Sequence, residues 1–195
     1  MVGPSTPVVR GRCRHAENRE ARELNGKALA IHDAYRRGNL TALKELLGKP
    51  PDSPNCRGPD GVGEIVLEYA IYHSPLAFIR TLLKLGADPN YGDHAGFPSL
   101  IAALSCGDRA DRLEIVELLL SSGADIQQRG HNDYTPLHWA VVDRDPKAIE
   151  LLLAHGADPN ARTRIDECAT PLEEAEILGL TDAAQMLRRA IEAAR

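Results

Sequence analysis

Three histidines and one cysteine in this chain, His73, His94, His131 and Cys106, are of the types that hold zinc, since imidazole and thiolate both suit that ion. Glu173 and Glu174 are carboxylates, the groups that work as acid and base, but adjacent residues on a helix point about 100° apart and cannot share a substrate. They read instead as a negative first helical turn, favoured by the helix dipole. The segment Gly58-Pro59-Asp60-Gly61-Val62-Gly63 has the glycine content of a phosphate-cradling loop, yet it lacks the Gly-Lys-Ser/Thr ending and the preceding strand, so it reads as a widened turn. No Gly-x-Ser-x-Gly elbow and no His-Glu-x-x-His pair occurs. No catalytic residue and no cofactor is therefore expected, and whether the histidines and Cys106 can meet depends on the elements that carry them.

Those elements are periodic. Gly-Ala-Asp occurs at Gly86-Ala87-Asp88, Gly123-Ala124-Asp125 and Gly156-Ala157-Asp158, at intervals of 37 and 33 residues. A Leu-x-x-Ala element recurs at Leu67/Ala70, Leu100/Ala103, Leu137/Ala140 and Leu172/Ala175, with a weaker form at Ile31/Ala34. Self-similarity of this length decides architecture, because each unit is a piece that cannot bury its own apolar face.

The fullest unit runs Tyr134-Thr135-Pro136-Leu137-His138-Trp139-Ala140, then a Leu-rich stretch, then Gly156-Ala157-Asp158-Pro159-Asn160. In it the chain resembles the ankyrin-repeat family. The resemblance implies an all-α solenoid of about five helix-turn-helix units, near 28–55, 56–90, 91–127, 128–160 and 161–195, with capping units at the ends; from its charge, 1–27 is expected to be a basic N-terminal arm, partly disordered or helical. Thr135 and Pro136 suit a helix start, since Thr caps orphan N–H groups and Pro lacks one. Leu137 and Ala140 share a helical face, and the small Ala140 allows close helix approach. Gly86, Gly123 and Gly156 stand where a helix end needs positive φ. By resemblance, His138 ties neighbouring turns together, and His32 is read likewise as structural. Unit one lacks the family exit, unit three carries extra residues over Cys106–Arg112, and unit five widens its turn over Arg162–Glu167.

Composition agrees. Apolar content of 43% suits a soluble globular chain, and aromatic content of 4% makes each ring worth locating. No run of eighteen apolar residues and no apolar signal core is present, so a cytoplasmic protein without membrane contact is expected. Cys13, Cys56, Cys106 and Cys168 are widely spaced, against a disulfide framework or structural zinc site. Residues 1–40 hold eight Arg and Lys against four Asp and Glu, a local +4 on a chain of net −5. Acids interleave with those arginines, so a solvated leader is favoured over a nucleic-acid contact.

What remains is a surface for a protein partner. In ankyrin-like proteins partners dock on the concave side, built from turn tips and the ends of the first helices. Transferred unit by unit, the tips are Val62 and Glu64, then His94 and Phe97, then His131, Asn132 and Tyr134, then Asp166 and Glu167. The helix ends supply Arg36 and Arg37, Tyr72 and His73, Ser105 and Cys106, and Val142 and Asp143. A central patch of Tyr72, His73, His94, Phe97, His131 and Tyr134 is the expected grip, flanked by basic and acidic ends. Phe97 and Tyr134 precede helix starts, where an aromatic can equally staple its neighbour. Tyr69 and Trp139 read as inter-unit packing. The metal alternative needs three units about 10 Å apart to converge on one ion, so no metal is expected. A substrate-recruiting or regulatory subunit of a separate enzyme is the other alternative; with about 27 residues before the array, no catalytic domain within this chain is expected.

Overall fold

A short helix with one apolar stripe is unstable alone in water, and here each such helix is covered by its own hairpin partner and by the units beside it. The computed structural model describes residues 14–48, 55, 66–91, 97–164 and 168–193, and its helical bounds are α1 Arg14–Arg37, α2 Leu40–Leu47, α3 Val66–His73, α4 Leu76–Lys84, α5 Ser99–Ser105, α6 Arg112–Ser121, α7 Pro136–Val142, α8 Pro146–Ala154, α9 Pro171–Ile177 and α10 Thr181–Ala193. No strand occurs among the described residues. The expected turn-tip residues Val62, Glu64, His94, Asp166 and Glu167 lie outside them, as do Cys13, Cys56 and the Gly58–Gly63 segment. The odd-numbered helices stack in sequence order, α1 on α3, α3 on α5, α5 on α7 and α7 on α9, and each packs against the even-numbered helix that follows it. The result is an all-α solenoid, with five helical hairpins among the described residues. Helix α1 runs through the boundary at 27/28, so the end of the N-terminal arm and the first helix of unit one are one continuous helix.

Local chemistry explains each start and stop. Thr135 and Thr170 each form a capping box, Thr135 with His138 and Thr170 with Glu173, and proline follows as the first helical residue. Asn39 and Asp145 cap α2 and α8 by accepting from the backbone N–H of Ala42 and Ala148. Gly86, Gly123 and Gly156 adopt φ of 95°, 90° and 85°. After each, the next residue donates back five positions, as Ala124 N does to Leu119 O at 3.0 Å, which closes the helix with otherwise orphaned carbonyls satisfied. No atom lies within 4 Å of a Cβ added at these glycines, so the backbone conformation alone selects them.

One apolar cluster runs from Ile31 to Leu187 without a break. Helix α5 is buried on all sides from Ser99 to Leu104, because it has α3 and α7 flanking it and α6 behind. Leu119 on α6 is fully buried at the centre of that cluster. Leu119→Ala should therefore lower the free energy of unfolding by about 2–5 kcal/mol, measured by urea titration followed by far-UV circular dichroism. A loss under about 1 kcal/mol would contradict a close-packed interior at this site.

Candidate functional site

The odd-numbered helices have matching registers, so equivalent side chains can be read along the stack. The last residues of α5, α7 and α9 are Ser105, Val142 and Ile177, and Tyr72 on α3 holds the same position. Aligning Ile31 with Leu67 puts Arg36 there in unit one. The following position carries Arg37, His73, Cys106, Asp143 and Leu178. Arg36 and His73 are exposed; Arg37 is exposed and pairs with Asp33 at 3.0 Å. At the other end Val142, Ile177 and Leu178 are 39%, 63% and 36% exposed, far more than any core residue. Tyr72 and Ser105 show that adjacent units meet along this strip, their hydroxyls lying 3.3 Å apart.

The rings gather by unit. Tyr72 and His73 contact each other, and His73 meets His32 with ring centroids 4.9 Å apart and Tyr69 at 4.5 Å. His32 Nδ1 is hydrogen-bonded to the Tyr69 hydroxyl at 2.6 Å. Phe97 stacks parallel to His131 at 6.2 Å and meets the edge of Trp139 at 5.4 Å. Tyr134 lies flat on His138 at 5.6 Å, and its hydroxyl reaches Glu174 at 3.4 Å. Geometry separates these groups along the helices. Phe97 and Tyr134 precede α5 and α7, whereas Tyr72 and His73 close α3, and seven residues of helix span about 10 Å. His131 and Asn132 are exposed at the tip of unit four, where Asn132 has φ of 56°.

Polar staples hold the units in register. His138 is fully buried; its Nε2 lies 3.1 Å from Ala169 O in the next unit, and its Nδ1 is 2.8 Å from Thr135 Oγ1. A carbonyl only accepts, so Nε2 carries the proton and Nδ1 takes the hydroxyl hydrogen of Thr135. The ring is therefore neutral, and burial pushes its pKa down. Asn90 Nδ2 donates to Gly123 O at 2.7 Å while its Oδ1 accepts from Asp125 N at 2.6 Å, and Asn55 makes the same pair with Gly86 O and Asp88 N. Asp133 accepts from Arg129 at 2.9 Å and from the backbone N–H of Arg164 in the next unit at 2.6 Å; the Arg164 guanidinium holds the Asp133 carboxyl below its usual range. The Arg112–Asp145 ion pair joins α6 to the cap of α8. In the enlarged loop of unit three, Arg109 pairs with both oxygens of Asp111 at 2.9 Å and donates to Ile71 O at 2.7 Å, closing the end of α3.

Sequence reasoning did not single out Arg109, Asp133, Arg164, Ile177 or Leu178. Ile177 stands one unit beyond Val142 and was readable by continuing the register; Arg109 has no counterpart in other units and carried no signal. Among the described residues no group of three or more His, Cys, Asp or Glu side chains could hold a metal ion, and Cys106 and Cys168 are free thiols. Burial raises the Cys106 pKa. The arrangement offers shape, rings and charge.

Known proteins share this pattern. Residues 31–130 and 95–163 match the family model described as ankyrin repeats, three copies. An ankyrin repeat protein of Rickettsia bellii is 30% identical over 162 residues, which cover 83% of this chain and 84% of that protein. Palmitoyltransferase ZDHHC13 of Mus musculus is 29% identical over 157 residues, 78% of this chain and 22% of that protein. L-asparaginase of Dirofilaria immitis is 32% identical over 161 residues, 82% of this chain and 25% of that protein. The chain spans about a quarter of the length of these last two relatives.

His138 makes the inter-unit geometry testable by pH. In the unfolded chain an imidazole takes its proton near pH 6.5, whereas the folded ring resists protonation to lower pH. Below about pH 6.5 the unfolded state thus binds more protons, and stability falls as pH drops. Replacing His138→Gln should make the fall between pH 7 and 5 shallower and cost about 1–3 kcal/mol at pH 7, read from urea midpoints across pH. An unchanged pH slope would mean that this ring titrates freely. With the repeat register, the capped helical hairpins and the matches over 31–163 all agreeing, the chain belongs to the ankyrin-repeat family.

Proposed function

We propose that this chain is a non-catalytic adaptor, scaffold or inhibitor that holds a protein partner on the face formed by the ends of the odd-numbered helices and the turn tips. Ankyrin repeats are protein-interaction modules, and the observation that carries the reading for this chain is the strip of Val142, Ile177 and Leu178 left in water. Apolar side chains lined up on one face favour burial against a partner. Helices α5 and α7 are packed on both flanks, so the face is preformed and little ordering is needed on binding. Exposed His131, Asn132, Arg36 and His73 extend the same surface, and Glu64, His94, Asp166 and Glu167 belong to the proposal on the sequence pattern alone. Phe97 and Tyr134 contribute on their exposed edges while their rings brace Trp139 and His138. No helix among the described residues is long and apolar enough to cross a membrane. A cytoplasmic setting fits the free thiols of Cys106 and Cys168.

A second reading has its own support. The chain matches parts of proteins named as a palmitoyltransferase and an L-asparaginase, and the second reading is a substrate-recruiting or regulatory subunit of a separate enzyme. In both readings the contact is the same face. Val142→Asp combined with Ile177→Asp places two charges on that face without touching the core. Capture from the native lysate should lose its partner, with affinity at least tenfold weaker, about 1.4 kcal/mol or more, while the thermal midpoint stays within a few degrees. An unchanged partner set on a folded double variant would sink the assignment of this face.

A further inference from the structure

The strip has a direction. The row that holds the last residues of α5, α7 and α9 runs Arg36, Tyr72, Ser105, Val142 and Ile177, from cationic through aromatic to aliphatic, and the neighbouring row runs from Arg37 and His73 to Asp143 and Leu178. At the first end, His73 lies among basic side chains, one of which, Arg109, is paired with Asp111. It faces His32 and Arg36 from α1 and Arg109 from the loop after α5, and these depress its pKa after burial does. Its remaining ring neighbours, Tyr69 and Tyr72, lie on its own helix. At the other end Asp143 is exposed beside Val142, and Ile177 is the most exposed aliphatic of the strip.

Resting on the reading of this face as a partner site, we infer that its occupant is a short extended protein segment, acidic at one end and apolar at the other, laid with its carboxylates over Arg36 and His73 and its apolar end over Val142, Ile177 and Leu178. Charge complementarity selects the first contact, and the Asp143 carboxylate disfavours the reversed orientation. The length follows from the stack. Four steps of about 8–10 Å span roughly 35 Å, the reach of about ten to twelve extended residues. Nucleic acid fits poorly, because its uniform charge would meet the Asp143 end and a chain whose net charge is −5. Carboxylates over His73 favour its protonated form, so the complex should tighten as pH falls.

The test is selection of a displayed library of random twelve-residue peptides on the full chain, followed by titration of synthetic versions. The expected winners carry Asp or Glu at one end and Leu, Ile or Phe at the other. Arg36→Gln with His73→Gln should weaken them at least tenfold, Arg36→Lys should keep most of the affinity, and the reversed sequence should bind at least tenfold more weakly. Affinity should rise roughly threefold or more from pH 7.5 to 6, and His73→Gln should abolish that rise. Winners without acidic residues that still need Ile177 would overturn the polarity while leaving the adaptor reading intact. Failure to select any peptide, or equal binding of a twelve-nucleotide single strand through Arg36, would overturn the inference too. The adaptor reading then stands or falls separately, on partner capture by the Val142→Asp, Ile177→Asp chain.

Discussion

Close approach of the odd-numbered helices depends on one small side chain per unit. Ala34, Ala70, Ala103, Ala140 and Ala175 hold the same helical position, and each is buried to 4% exposure or less. A methyl group there lets the next helix come close enough for Leu67, Leu100 and Leu137 to fill the space between units. Any larger side chain would either push a helix out or force its neighbours off their rotamers. Because each hairpin meets only its neighbours, such a disturbance is felt first at two interfaces, and stability is the sum of such layers. The exposed face inherits its flatness and spacing from that contact.

Apolar contact alone would let hairpins slide or rotate, and the polar staples remove that freedom. Asn55 and Asn90 each bond both a carbonyl and an N–H of the following unit's turn, which fixes one hairpin against the next in two directions. His138 does this for the buried side of units four and five, and Asp133 for their tips. The bonds of Asn55, Asn90 and Asp133 are exposed, whereas those of His138 are buried, where an unpaired partner would cost about 1–3 kcal/mol. Register is thereby specified by chemistry that repeats only where the polar residue repeats. Arg109 adds a further bond between units two and three by reaching back to Ile71 O at the end of α3.

The proposed docking face is then a by-product with its own information. Its ends differ in charge because the first unit continues a basic segment through α1, whereas the last units end their helices in aliphatic residues. Glu173 is engaged with Arg162 at 2.8 Å and with its own cap, and Glu174 meets Tyr134. Glu173 thus braces the turn and helix start of its own unit, and Glu174 links unit five to unit four.

The amino-acid sequence by itself determined the repeat length, the helix start at Thr135, the negative first turn at Glu173 and Glu174, the glycine stops and the buried Leu and Ala positions, because each follows from backbone preference or from periodic apolar spacing within one unit. It also marked Arg36, Tyr72, His73 and Val142 as helix-end residues, since register along one hairpin is local. Tertiary structure alone decided which rings meet, because Phe97 and Tyr134 lie about a helix length from Tyr72 and His73, a separation that no linear patch expresses. The same holds for Arg109 and Asp133, whose partners sit 38 and 31 residues away in the chain. Such contacts depend on how far one hairpin is rotated against the next, and that rotation is set by the packing of all the units together.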